Sequence, residues 1–213
     1  MTLSPPHIVV FDVGGVLIDA DYRVLCRKFL ADDAEIEHFL TEVLGPDFHR
    51  ERDRGVPMAE TITEWSARHP AHADAIQTFC TRFPENWVGP IPGAVEILEE
   101  LKVARVAVYG LTNWGVETWP LARDRFAFLD RLDGVLVSSH VGLTKPDPAI
   151  FRAFCAEFTV EPEQCFFVDD VEVNVEVARR VGFHATGFTE AEGFRRELVT
   201  AGLLPAGPRA QAK

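Results

Sequence analysis

The sequence predicts a doubly wound α/β fold, a parallel sheet covered by helices on both faces. Two observations carry this. Short apolar runs recur along the chain at 7–11, 105–111, 134–138, 165–168 and 183–188, and most are continuously hydrophobic rather than alternating. Continuous runs suit strands buried on both faces of a parallel sheet. Between the later runs lie amphipathic helical patterns, so strand and helix alternate at the length of βαβ units.

The helices follow from spacing. Ala94, Ile97, Leu98 and Leu101 stand at i, i+3, i+4 and i+7, and Phe151, Phe154, Cys155 and Phe158 repeat the pattern. Asn174, Val177, Ala178 and Val181 do so again, with Asn174 as the polar member. Residues 19–88 break the alternation: they show helical stripes (Ile36, Phe39, Leu40, Val43; Ile76, Phe79, Cys80, Phe83) and no convincing strand. Pro46, Gly55, Pro57 and Pro70 divide the pieces. This segment is expected to be an all-helical cap inserted after the first strand, with residues 89–93 as the return hinge. The expected organisation is a discontinuous core over 1–18 and 89–204, a cap over 19–88, and a frayed tail over 205–213, rich in Pro, Ala and Gly.

Composition narrows the function. The chain has 213 residues, 47% of them hydrophobic, enough for one sizeable core and too apolar for disorder. A net charge of −12 argues against nucleic acid or an acidic membrane surface as partner. No apolar run approaches the roughly 20 residues of a membrane span, and the opening Met1-Thr-Leu-Ser-Pro-Pro does not read as a secretion signal. Cys26, Cys80, Cys155 and Cys165 form no close pair, as in a reduced cytoplasmic protein.

Reactive groups in a parallel sheet collect beyond the C-terminal ends of the strands. After the first run comes Asp12-Val-Gly-Gly-Val-Leu-Ile-Asp19; after the second, Thr112-Asn113-Trp114. The third is followed by a loop reaching Lys145-Pro146, and the fourth by Asp169-Asp170, with Asn174 one helical turn on. Each feature alone has a plain structural reading, as a helix cap or turn. Together they bring three carboxylates to one edge, where they repel unless a cation sits among them. A hard divalent ion such as Mg²⁺ is the natural occupant. Of the 21 Lys and Arg residues only Lys28, Lys102, Lys145 and Lys213 are lysines, so a compact point charge at 145 runs against the background usage of this chain.

These four motifs, in this order and covering about residues 7–204, resemble the haloacid dehalogenase-like hydrolase superfamily, in its subfamily with an α-helical cap after the first motif and a Rossmann-like core. The resemblance implies a Mg²⁺-dependent phosphatase acting on a small phosphorylated metabolite. Asp12 would be the nucleophile, forming an aspartyl-phosphate. Asp12, the Gly14 carbonyl and Asp170 would hold the metal. Thr112, Asn113 and Lys145 would bind phosphate, Lys145 neutralising charge at the reacting centre. Asp169 and Asn174 would orient these groups without touching metal or substrate.

One departure matters. Phosphatases of this superfamily usually carry a second Asp two residues after the nucleophile, as general acid; here that position is Gly14. General acid catalysis is worth on the order of 10²–10⁴-fold. Three readings follow: a phosphatase with another proton source or a good leaving group, a 2-haloacid dehalogenase, or a binding or regulatory protein. The first motif also looks like that of bacterial α-D-glucose-1-phosphate phosphatases, which share the glycine. Asp19 and Asp21 are candidate proton sources, with helix capping as the plainer reading. The charge-dense segment 48–55 reads as a solvated helix end and turn, with an arginine presented to a second anion as the sharper alternative. Trp87 and Trp114 read as packing residues near the pocket, and His140 as a surface or loop histidine.

Overall fold

The computed structural model describes residues 5–206. The part of the predicted tail from 207 onward and the first four residues lie outside them. β1 (Ile8–Phe11) is buried along its whole length. Its side chains alternate between two cores, Val9 and Phe11 into one and Ile8 and Val10 into the other. That two-sided burial is why the run reads as continuously apolar.

A short strand β2 (Ile18–Ala20) leads into helices α1 (Tyr22–Cys26), α2 (Asp33–His38), α3 (Gly45–Asp53), α4 (Met58–Arg68) and α5 (Ala73–Thr81). A π-helical stretch, Phe39–Leu44, joins α2 to α3. β3 (Trp87–Pro90) returns the chain to α6 (Ala94–Val103), β4 (Ala107–Thr112), α7 (Thr118–Arg125) and β5 (Gly134–Val137). There follow α8 (Ser138–Val141), α9 (Pro148–Phe158), β6 (Cys165–Asp169), α10 (Glu172–Val181), β7 (His184–Gly187) and α11 (Ala191–Thr200).

The main sheet has the order β5-β4-β1-β6-β7, parallel throughout. All five predicted strands are present. The second begins later than expected because Arg105 turns through a left-handed conformation at φ 60°. With β1 central and its neighbours drawn from opposite directions of the winding, the crevice beyond β1, β4 and β6 is where such sheets bind ligands.

The helical stripes bury as their spacing predicts: Ala94, Ile97, Leu98 and Leu101 on α6, and Asn174, Val177 and Ala178 on α10. The segment between β2 and β3 is helical, as expected. One buried cluster runs from Val9 and Phe11 through Val13 and Leu17 into Leu25, Phe39, Phe48, Trp65 and Phe79, so the insertion shares an apolar core with one face of the sheet. The antiparallel pairing of β2 with β3 is new. It ties the entry and exit of the insertion together, helped by Asp21 N–H donating to the Asn86 carbonyl at 2.9 Å and Ile91 N–H to Leu17 at 2.9 Å. A three-residue strand with one buried side chain leaves no periodicity to read.

No helix among the described residues is long and apolar enough to cross a membrane. The four cysteines are unpaired, and Cys26, Cys80 and Cys165 are buried.

Candidate active site

The end of β1 delivers Asp12 and the end of β6 delivers Asp169 and Asp170. One carboxylate oxygen from each of the three lies within 4.8 Å of the others. Lys145, on the loop between α8 and α9, is buried between two of them, its Nζ 2.8 Å from Asp12 Oδ2 and 2.6 Å from Asp169 Oδ2. Asp12 Oδ1 also accepts from the Val13 N–H at 2.6 Å.

Asp169 is fully buried, and its carboxylate is saturated. It accepts from Lys145, from the Val171 N–H at 2.8 Å, and from Asn174 Nδ2 at 3.0 and 3.1 Å. Asn174 therefore braces Asp169, and Asp169 fixes Lys145. Asp170 is exposed.

The charges do not balance, since three carboxylates face one ammonium. Burial pushes the Asp12 carboxyl up to about 8; Lys145 pulls it down, while Asp169 and, less strongly, Asp170 push it up. Burial likewise raises Asp170, with Asp169 adding to it. Burial alone would lower Lys145, but Asp12 and Asp169 outweigh it and hold the ammonium above its usual range. Excess negative charge on hard oxygen donors is the environment a divalent cation such as Mg²⁺ fits.

The two glycines after Asp12 do different things. Gly14 has ordinary φ, and a Cβ there would stand 3.7 Å from the Trp114 ring. Gly15 sits at φ +77°, where an added Cβ would collide with the Asp170 carboxylate. Its missing side chain is what lets Asp170 close on the β1 loop. Sequence reasoning passed over Gly15, although a Gly-Gly pair after a strand is a turn signal.

Thr112, at the end of β4, is buried with its Oγ1 unpartnered. Asn113 lines the cleft beside it. Its side chain is committed to the lysine loop, Nδ2 donating to the Lys145 carbonyl at 3.0 Å and Oδ1 accepting from the Lys145 N–H at 2.9 Å. The side-chain amide thus clamps the backbone that carries the ammonium. Trp114 N–H donates to Ser138 Oγ at 3.0 Å, and that hydroxyl donates to the Asp53 carbonyl at 2.6 Å, joining the loop to the helical insertion.

Between these strand ends and the insertion lies a cleft of about 130 Å³. Gly14, Asn113 and Trp114 form the sheet side, and Tyr22, His49, Arg52, Asp53 and Asn86 the insertion side. The segment 48–55 is thus not simply solvated: Phe48 and Arg52 are buried, although Arg50 and Arg54 are exposed. Burial pushes Asp53 up to about 6 against the pull of Arg52 and Lys145. Burial, reinforced by Arg52, holds His49 down to about 4, and burial with Asp53 raises Tyr22 to about 12. Asp53 is a carboxylic acid on the cleft that no sequence motif marked. Asp21 caps α1 through the Arg23 N–H at 2.8 Å, and Asp19 is exposed on β2, so neither candidate proton source lines the cleft. His140 is exposed, and Trp87 and Trp114 pack with ring centres 5.7 Å apart on the cleft wall.

With strand order, carboxylate cluster and lysine in place, comparison with known proteins agrees. The family profile for haloacid dehalogenase-like hydrolases matches residues 6–182. The chain belongs to that family and is a hydrolase. It is 23% identical over 197 residues to the validoxylamine A 7'-phosphate phosphatase of Streptomyces hygroscopicus subsp. limoneus, covering 85% of each chain. It is 25% identical over 119 residues to a flavin mononucleotide hydrolase of Arabidopsis thaliana, where the match is 56% of this chain and spans about half, 48%, of that protein's length. Its fold matches that of a HAD family enzyme from Bacteroides thetaiotaomicron solved as a magnesium complex, with a TM-score of 0.72, 20% identity and coverage of 92% and 99% of the two chains.

Proposed function

We propose that the protein is a Mg²⁺-dependent phosphatase that hydrolyses a small phosphorylated metabolite in the cytoplasm through an aspartyl-phosphate on Asp12. The observation that carries this reading is the meeting of Asp12, Asp169 and Asp170 within 4.8 Å beside the buried Lys145 ammonium. Relatives named as phosphatases, such as the validoxylamine A 7'-phosphate enzyme, support it.

Asp12, the Gly14 carbonyl and Asp170 would hold the ion, which when bound supplies positive charge against the phosphoryl oxygens. An Asp12 oxygen attacks phosphorus, the P–O ester bond breaks, and the alcohol oxygen leaves with the electron pair; water then cleaves the acyl phosphate. Lys145 neutralises the attacking carboxylate and the transferring group, and Thr112 Oγ1, unpartnered in its buried position, donates to a phosphate oxygen. Asp169 and Asn174 hold Lys145 in place, and Asn113 holds its backbone.

Residues 19–88 act as a cap over the core of 1–18 and 89–204, excluding bulk water when closed. Because no carboxylate follows Asp12 at Gly14, substrates with good leaving groups are favoured. The test is phosphate release from p-nitrophenyl phosphate and acetyl phosphate with and without Mg²⁺. Metal-dependent release that disappears in Asp12→Asn supports the reading. Chloride release from 2-chloropropionate without metal would establish a dehalogenase instead, and neither signal would leave a binding protein.

A further inference from the structure

Arg52 is 3% exposed, yet its Nε and Nη2 have no hydrogen-bond partner and no carboxylate lies within ion-pair distance among the described residues. Burying an unpaired charge is costly, and folded proteins rarely do it without a partner. The partners it does have are apolar or geometric. Its guanidinium carbon stands 4.9 Å from the centre of the Phe83 ring, and Nη2 lies against Gly115, where a Cβ would come within 3.1 Å. Gly115 follows Asn113 and Trp114 directly, so an arginine of α3 reaches across to the loop that leaves β4. Two further buried polar atoms of the same cleft are unpartnered: the donor Trp114 Nε1 and the acceptor Asn86 Oδ1. The other titratable groups on the cleft are Tyr22, His49 and Asp53. None forms an ion pair or hydrogen bond with Arg52.

We propose that Arg52, with Trp114 Nε1, forms a subsite for a second oxyanion on the substrate, so that the preferred phosphomonoester carries a carboxylate or second phosphate on a short hydroxylated skeleton. This rests on the phosphatase reading above and adds the substrate class to it. The planar guanidinium fork matches a carboxylate or phosphate in bidentate fashion. Asn86 Oδ1 accepts a hydrogen bond from a hydroxyl of the same skeleton. The cleft is small, about 130 Å³, which favours a short skeleton.

The experiment compares 3-phosphoglycerate with glycerol 3-phosphate, its counterpart lacking the carboxylate, and adds glycerol 1,3-bisphosphate to separate a phosphate from a carboxylate. Loss of hydrogen bonds to a charged group predicts that the wild-type protein prefers one oxyanion-bearing substrate by roughly 10- to 100-fold in kcat/KM, mainly through KM. In Arg52→Met the preference falls to within about twofold, while Arg52→Lys, which keeps charge without the fork, retains part of it. A thermal-unfolding series is independent of turnover. Arg52→Met alone should raise Tm, because a buried unpaired charge is removed, and malonate should raise the Tm of the wild type but not of the variant. Equal substrate ratios in wild type and Arg52→Met, or a malonate shift that survives the substitution, overturns the subsite. Absence of phosphate release from p-nitrophenyl phosphate with Mg²⁺ would overturn the phosphatase reading instead, and the malonate series would still decide the role of Arg52.

Discussion

At the ends of β1 and β6 the buried polar groups hold one another: Lys145 lies between Asp12 and Asp169, and Asn174 and the Val171 N–H fill the remaining positions on Asp169. Across the cleft the buried polar groups of Arg52, Asn86 and Trp114 stand with atoms unpartnered. The first region is machinery assembled before any ligand arrives, its positions over-determined by mutual bonds. The second is complete only when something else supplies the missing partners. On the reading proposed above, reaction type resides in the satisfied region and choice of substrate in the unsatisfied one.

Breaking the satisfied region should have the largest effect. Lys145→Met leaves two buried carboxylates without their cation, and stability should fall by about 3–5 kcal/mol in urea unfolding. Phosphate release should fall by on the order of 10³-fold in the same variant. A loss under about 1 kcal/mol would show that the pair is not held as described. Gly15→Ala comes next. With φ at +77° and the Asp170 carboxylate in the way of a Cβ, it should cost about 1–3 kcal/mol. It should also weaken Mg²⁺ activation by roughly 10- to 100-fold, read from the metal dependence of turnover.

The unsatisfied region carries a pH signature. His49 is held down to about 4 when folded, against an ordinary value of 6.5. Its neutral burial contributes nothing adverse above pH 6.5, and stability is lost as pH falls from 6.5 toward 4, where the unfolded chain binds the proton first. The expected loss is about 1–3 kcal/mol over that window, and His49→Gln should flatten it in a pH series of unfolding midpoints. The smallest effect is a gain. Gly14→Asp restores an acid two residues after Asp12 and should raise turnover of alkyl phosphates by roughly tenfold. A fall would mean that the Trp114 ring, 3.7 Å from the new Cβ, leaves the carboxyl no usable rotamer.

The same contrast explains what could be read from the chain. Asp12 directly follows β1, Thr112 and Asp169 close β4 and β6, and Lys145 lies on the loop beyond the short helix after β5, so once the strands are recognised the topology brings them together. Arg52 and Asp53 lie in a helix whose charges alternate with no obvious face. Whether Arg52 is solvated or buried depends on Phe83 and Gly115, both distant in sequence. The bonds of the Asn113 side chain to the Lys145 backbone could not be read from the chain, because an amide beside a strand end suits a phosphate and a neighbouring backbone equally well. The β2–β3 ribbon was invisible for a related reason: its stability comes from pairing across the whole insertion, not from either short strand.

The central claim is that Asp12 and Asp170 share one divalent cation, and diffraction from crystals grown with Mn²⁺ in place of Mg²⁺ tests it most directly. The predicted result is a single anomalous peak bonded to carboxylate oxygens of both residues and to the Gly14 carbonyl, lost in Asp170→Asn. No peak at that position, or one that persists unchanged without Asp170, would contradict it.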